Sequence, residues 1–158
     1  MDLPEVCVVY LLRPDGATTE VLLGVKLTGL GKGKLVGPGG KIEQGESVHD
    51  AAVREVQEEV GVRIEASDLM PAGRLDYHFP SKPSWSQRSH VFRCTRWSGE
   101  PTASAELAPR WFALEDVPYA RMWDDAARWL PAVLRGGTVE ETFTFGHDLE
   151  TVVEALRD

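Results

Sequence analysis

Between Gly29 and Gly45 the chain carries seven glycines, and a helix start follows at once. A low-complexity linker is the competing reading of this run, TGLGKGKLVGPGGKIEQGES, but Leu30, Leu35, Val36 and Ile42 interrupt it. A glycine loop feeding straight into a helix brings backbone carbonyls close to whatever the helix holds. The pattern predicts a helix from about Ser47 to Val60, with Ser47 as N-cap, Asp50 three residues on and Gly61 as the terminating glycine. Ala52, Val53, Val56 and Val60 share an arc about 100° wide, the predicted core face.

The same helix carries an electrostatic problem. Glu55, Glu58 and Glu59 fall on one face, with Glu58 about 60° to one side of Glu55 and Glu59 about 40° to the other. Like charges at these spacings repel by roughly 0.2–0.5 kcal/mol per pair when exposed. A solvated acidic face is the bland reading. The chemical one is a divalent cation: hard ions take oxygen ligands, and Mg²⁺ commonly uses a few carboxylates together with phosphate oxygens and waters.

The whole chain bounds what that cation could serve. Its 158 residues suit one domain, expected to span 1–158, and 42% hydrophobic with 27% charged residues is a globular balance. A net charge of −8 with no dense Lys/Arg run argues against a nucleic-acid polymer as partner. Small phosphorylated ligands stay open, because a bound cation inverts the local field. No apolar run approaches the ~20 residues of a membrane span, and MDLPEVCVVY does not read as a signal peptide. Cys7 and Cys94 lie in strand-like stretches and are expected to be buried free thiols, as suits a reducing cytoplasm. His49, His78, His90 and His147 have no metal-ligand spacing. GLGKGK lacks the Gly-Lys-Ser/Thr ending of a Walker loop.

Strands are expected at 5–12 and 19–26, forming a hairpin, and at 72–79, 88–97 and 109–114. A second helix is expected within 121–137, disturbed at Pro131 and closed by Gly136-Gly137. The last two segments alternate and suggest a terminal hairpin, with a helix as the alternative for the final one. Strands mixed with two helices imply an α+β or α/β sandwich.

From Gly40 the chain reads Gly, five residues, Glu46, seven residues, then REVQEEVGV from Arg54 to Val62. This matches the signature of the Nudix hydrolases at every fixed position. The resemblance implies an α/β/α sandwich with a mixed central sheet and a catalytic loop-helix-loop. It implies Mg²⁺ or Mn²⁺ held by Glu55, Glu58, Glu59 and the Gly39 carbonyl, activating water for attack on a diphosphate linkage. It also implies that Arg54 orients the acids and that Glu46 holds loop to helix.

Flanking stretches resemble the MutT-like oxidised purine nucleoside triphosphatases, loosely from about residue 5 to 147. On that resemblance Glu106 is a further metal ligand or base, and Lys26 lies near the substrate. Trp123 stacks on the base, Tyr77 and Phe79 occupy aromatic pocket positions, and Asp124 and Asp125 continue the run after Trp123. Two departures bear on the base. Val36 stands where the group has an asparagine, and Ala126 where it has a second acid. Trp129 and Trp111 are read as core. The implied substrate is a nucleoside triphosphate, an oxidised purine such as 8-oxo-dGTP among them, cut to monophosphate and pyrophosphate. Another nucleoside diphosphate-linked compound and a non-catalytic sensing module stay as alternatives, though the box keeps every acid. The oligomeric state is not legible.

Overall fold

The computed structural model describes residues 2–158. In chain order the strands and helices are β1 (Glu5–Asp15), β2 (Thr18–Lys26), β3 (Leu35–Val36), β4 (Gly39–Lys41), α1 (Val48–Val60), β5 (Met70–His78), β6 (Gln87–Cys94), β7 (Leu107–Ala113), α2 (Ala126–Leu134), β8 (Val139–Phe145) and β9 (Val152–Arg157). The hairpin of β1 and β2 turns through Gly16, whose φ of 64° favours a residue without Cβ. The glycine loop is more ordered than its composition suggests: β3 pairs with β2 and β4 pairs with β1.

The sheet is mixed. β1 runs parallel to β6, β6 antiparallel to β5, β5 parallel to β8, and β8 antiparallel to β9. Glu20 and Val21 pair with both β1 and β7, so β7 lies along the opposite edge of β2. The final segment is therefore a strand and closes the expected hairpin; it is not a helix.

Alternation along β1 builds a core on each side of it. Cys7, Val9 and Leu11 join Ala51, Ala52, Val56 and Val60 of α1 on one side. Tyr10 and Leu12 join Trp129, Leu130 and Val133 of α2 on the other. Each fully buried valine of α1 stabilises the layer by roughly 1.5–3 kcal/mol relative to exposure. The caps of α1 are as the sequence predicts. Ser47 Oγ accepts from the Asp50 N–H, and Gly61 ends the helix at φ 73°. Ala51 rather than Val53 completes the core face, Val53 being half-buried at its margin.

The second helix is shorter than expected. Arg121 lies in a 3₁₀ turn, Tyr119–Arg121, and the Trp123–Asp125 run precedes α2 instead of forming its first turn. Pro131 sits inside α2, and the helix continues through it to Leu134. Both cysteines are free and buried. Among the described residues no helix is long and apolar enough to cross a membrane.

Candidate active site

The glycine loop and α1 are locked together by Arg54. Its Nε donates to Glu46 Oε2 at 2.8 Å and its Nη2 to Glu46 Oε1 at 2.9 Å, a bidentate pair. Nη2 also donates to the Lys41 carbonyl at 2.9 Å, and Nη1 to Glu55 Oε1 at 2.8 Å. One guanidinium thus ties β4, the loop and an acid of α1 into one unit. The Arg54 hydrogen bonds hold the Glu46 carboxyl down at about 2.

The three box acids do not share one environment. Glu55 and Glu59, one turn apart, are buried, whereas the Glu58 side chain is 56% exposed and 3.4 Å from Arg54 Nη1. The expected arc of three carboxylates toward solvent or a cleft is therefore split, because β4 and β1 close over two of them. Gly39 donates its N–H to Glu59 Oε1 at 3.0 Å. A Cβ on Gly40 would stand 2.5 Å from the Glu55 carboxyl carbon. Burial makes Glu55 a weaker acid, holding its carboxyl above the usual carboxylate range, opposed by Arg54. Burial likewise pushes Glu59 up to about 7, opposed by the Gly39 N–H and Lys26 and reinforced by a hydrogen bond with Glu106 and by the charge of Glu55.

This donor set suits a hard divalent cation. Two buried carboxylates each have one oxygen anchored by a protein N–H, and a third acid, Glu106, reaches Glu59 from the segment just before β7. Burying that much negative charge without a cation is what holds these carboxyls protonated above the usual carboxylate range. Among the described residues no three acidic or histidine side chains already form a closed ligand set. The acids form a partial cradle that substrate oxygens and waters would complete.

A cavity of about 610 Å³ connects this region to an aromatic pocket. Lys26, Gly39, Gly40 and Glu106 line it, and so do Tyr10, Val36, Tyr77, Phe79, Trp85, Trp123, Asp125 and Trp129. That volume is within the range of small-molecule sites. Phe79 and Phe145 stack at 4.6 Å, and Trp123 meets both edge-on at 5.9 and 5.7 Å. Lys34 lies over the Trp123 ring and pairs with Glu150 of the β8–β9 turn. Val36 contributes an apolar wall in β3, as its side chain dictates.

Asp125 and Asp124 part company. Asp125 is 1% exposed and accepts from the Tyr77 hydroxyl at 2.8 Å and the Trp129 indole N–H at 2.7 Å. It occupies the N-cap position of α2 yet makes no capping bond, its side chain being drawn into the cavity wall. Asp124 does not line the cavity; its Oδ2 accepts from the Val152 N–H at 2.9 Å and ties the loop to β9. Trp129 is core, as read, but its indole N–H also serves the pocket. Trp111 is half-buried, stacked on Trp97 at 5.8 Å under Arg13. Tyr10 and Trp85 were not legible as pocket residues. Tyr10 looks like any strand residue, and Trp85 sits in a loop whose place over the cavity depends on β5 and β6.

The NUDIX domain profile matches residues 1–133. The chain is 36% identical over 151 residues to an oxidized purine nucleoside triphosphate hydrolase of Mus musculus, covering 95% of this chain and 92% of that protein. It is 37% identical over 131 residues to the protein of the same name from Danio rerio, with 82% of each covered. A crystal structure of a MutT protein from Bacillus halodurans superposes with a TM-score of 0.80 at 25% identity, covering 99% of this chain and 98% of that one.

Proposed function

The chain belongs to the Nudix family, and from that premise we propose that it is a pyrophosphohydrolase cutting a purine nucleoside triphosphate to the monophosphate and pyrophosphate. The observation that carries this reading is the continuity of one cavity from Lys26 and Glu106 to the Trp123–Asp125 pocket. A base held at one end leaves the phosphates to reach the acids at the other. The 36–37% identity to two oxidized purine nucleoside triphosphate hydrolases supports a purine, oxidised forms included.

Glu55, Glu58, Glu59, Glu106 and the Gly39 carbonyl would hold Mg²⁺ or Mn²⁺. When bound, the ion offsets phosphate charge and makes water more acidic. Arg54 fixes the rotamer of Glu55, so that carboxylate needs little reorganisation when substrate arrives. Glu59, which keeps its proton to about pH 7 without a cation, gives it up when one binds. Glu106, at the cavity wall, is the acid we assign to taking the proton of the attacking water, or to serving as a further ligand. Lys26 counters the charge of the phosphates and of Glu59. Trp123 offers its ring to the base, a contact worth ~1–3 kcal/mol in comparable nucleic-acid sites. Two free buried cysteines are consistent with a reducing compartment, the cytoplasm.

The test is a panel of ordinary and oxidised nucleoside triphosphates, diphosphates, ADP-ribose and dinucleoside polyphosphates, assayed with Mg²⁺ and with Mn²⁺. Purine triphosphates should give the highest kcat/KM, with pyrophosphate rather than orthophosphate released. Turnover confined to diphosphate-linked compounds would overturn the substrate, and turnover of nothing would overturn the activity.

A further inference from the structure

Every lysine of this chain stands at one opening. The five are Lys26, Lys32, Lys34, Lys41 and Lys82. Lys26 and Lys41 line the cavity described above. Lys32 and Lys34 line a second space of about 400 Å³, which shares Gly29, Leu30, Trp85 and Trp123 with the first. Lys82, in the loop between β5 and β6, has its Nζ 4.5 Å from the centre of the Trp85 ring. Among the described residues no arginine lines either space. Surface lysines that serve only solubility scatter over a molecule; on a chain of net charge −8 these are gathered at one mouth.

The backbone fixes where these charges stand. Gly29, Gly31 and Gly33 take φ of 73°, 84° and 91°, and the Lys32 and Lys34 N–H groups donate to the Gly29 and Gly31 carbonyls at 3.1 and 2.9 Å. The Lys82 N–H donates to the Phe79 carbonyl, and the Lys82 carbonyl accepts from the Trp85 N–H, both at 2.9 Å. The side chains are left free. Among the described residues only Lys34 has an ion-pair partner, Glu150, and Lys32, Lys41 and Lys82 are exposed. A lysine is a compact, hydrated charge on a mobile stem, suited to acting through its field. Unpaired cations around a cleft with apolar walls focus that field into it. Three carboxylates share the opening: Glu106 bonds to Glu59, Glu150 is taken by Lys34, and Asp125 is buried under Tyr77 and Trp129.

Resting on the nucleotide reading above, we propose that Lys32 and Lys82, which lie outside the site assigned there, are steering residues. They draw an anionic nucleotide to the mouth of a chain whose overall charge repels it. They set how fast the nucleotide arrives and not how tightly it is held, as charges on the rim of a binding surface do. Lys26 and Lys41, deeper along the same wall, carry the field inward toward the acids.

The experiment is stopped-flow tryptophan fluorescence on the Mg²⁺-loaded chain. The probe is the α,β-methylene analogue of dGTP, whose bridging carbon blocks the cut to monophosphate and pyrophosphate. Rates are read from about 20 to 500 mM NaCl, over which the screening length shrinks from roughly 20 to 4 Å. The proteins are the native chain, Lys32→Gln with Lys82→Gln, Lys32→Glu with Lys82→Glu, and Arg63→Gln with Arg96→Gln. The last pair removes the same charge beyond the far end of β6, ~25 Å of strand from Gln87 at the cavity. At low salt the glutamine pair should lower the association rate roughly tenfold and the glutamate pair further, the low end of what steering supplies. All four proteins should converge at high salt, with dissociation rates and saturating kcat unmoved. A native association rate that ignores salt, a loss in the dissociation rate that persists at high salt, an equal loss in the arginine pair, or no binding of the analogue overturns the proposal. Steered binding of the analogue by a chain that turns over no triphosphate would instead overturn the activity alone.

Discussion

Arg54 holds Glu46 through both carboxylate oxygens, Nε to Oε2 at 2.8 Å and Nη2 to Oε1 at 2.9 Å. The pair turns a flexible glycine loop into a fixed wall, because the same guanidinium reaches Lys41 in β4 and Glu55 in α1. Glu46→Gln keeps the shape but loses the charge-assisted pair. Outer contacts of this kind typically cost roughly 10–100-fold in metal affinity or activity when broken. We expect kcat/KM to fall in that range with little change in Tm, read by steady-state kinetics beside a thermal melt. A melt that drops while the activity of the remaining folded protein stays native would reassign the pair to stability.

Gly39 and Gly40 should respond oppositely to alanine. A Cβ at Gly39 would lie 2.0 Å from the Cys7 carbonyl oxygen, a backbone atom that cannot move without parting β4 from β1. Overpacking of this kind costs typically 1–3 kcal/mol or more. The atoms a Cβ at Gly40 would meet are the Glu55 carboxyl, the far end of a flexible side chain. Gly39→Ala should therefore lower Tm by several degrees or fail to fold. Gly40→Ala should melt near the native temperature while losing most of its turnover. Equal melts for the two variants would contradict the packing described.

Local chemistry made much of this readable. Ser47 and Gly61 bound α1 through bonds within a turn, and the core faces of β1 and α1 follow from periods of two and 3.6. What escaped depends on distant partners. Angular position alone grouped Glu58 with Glu55 and Glu59; only the closure of β4 and β1 over the helix separates them. The start of α2 was misplaced because Trp123, Asp124 and Asp125 look helical locally. Asp124 is drawn to Val152 and Asp125 to Tyr77, and neither contact is visible in the spacing. An N-cap aspartate that does not cap is a local rule broken where the site is.

Glu59 makes the metal-free chain sensitive to pH in a defined direction. Its carboxyl holds a proton up to about 7 when folded, against an ordinary 4.5. Between those values the folded state binds more protons than the unfolded one, so stability falls as pH rises through the window and levels off above it. With a chelator present, the native protein should melt lower at pH 8 than at pH 5. Glu59→Gln should lose part of that difference, Glu55 supplying the remainder in the same direction. Cation binding should release a proton near neutral pH, seen by calorimetry in two buffers of different ionisation enthalpy. Because that exchange needs a carboxylate, Glu59→Gln should also cut kcat by roughly 10²–10³-fold, the scale of losing one preorganised electrostatic group. A variant with the native pH slope and native turnover would remove Glu59 from the site.

Trp123 and Trp129 offer a final separation of pocket from core. Trp123 is half-buried, lines the cavity, and meets Phe79, Phe145 and Trp85 edge-on, so its removal opens the pocket more than it empties the core. Trp129 is 5% exposed, packs edge-on against Tyr10 at 6.2 Å and donates to Asp125. Trp123→Ala should raise KM for a purine triphosphate by roughly 5–150-fold, the equivalent of ~1–3 kcal/mol of stacking, and leave most of the stability. Trp129→Ala should cost about 3–5 kcal/mol of stability through the cavity it leaves. Denaturant unfolding and steady-state kinetics on both variants decide the matter. If Trp123→Ala loses stability as heavily as Trp129→Ala while the folded fraction keeps its KM, Trp123 belongs to the core and the base must stack elsewhere.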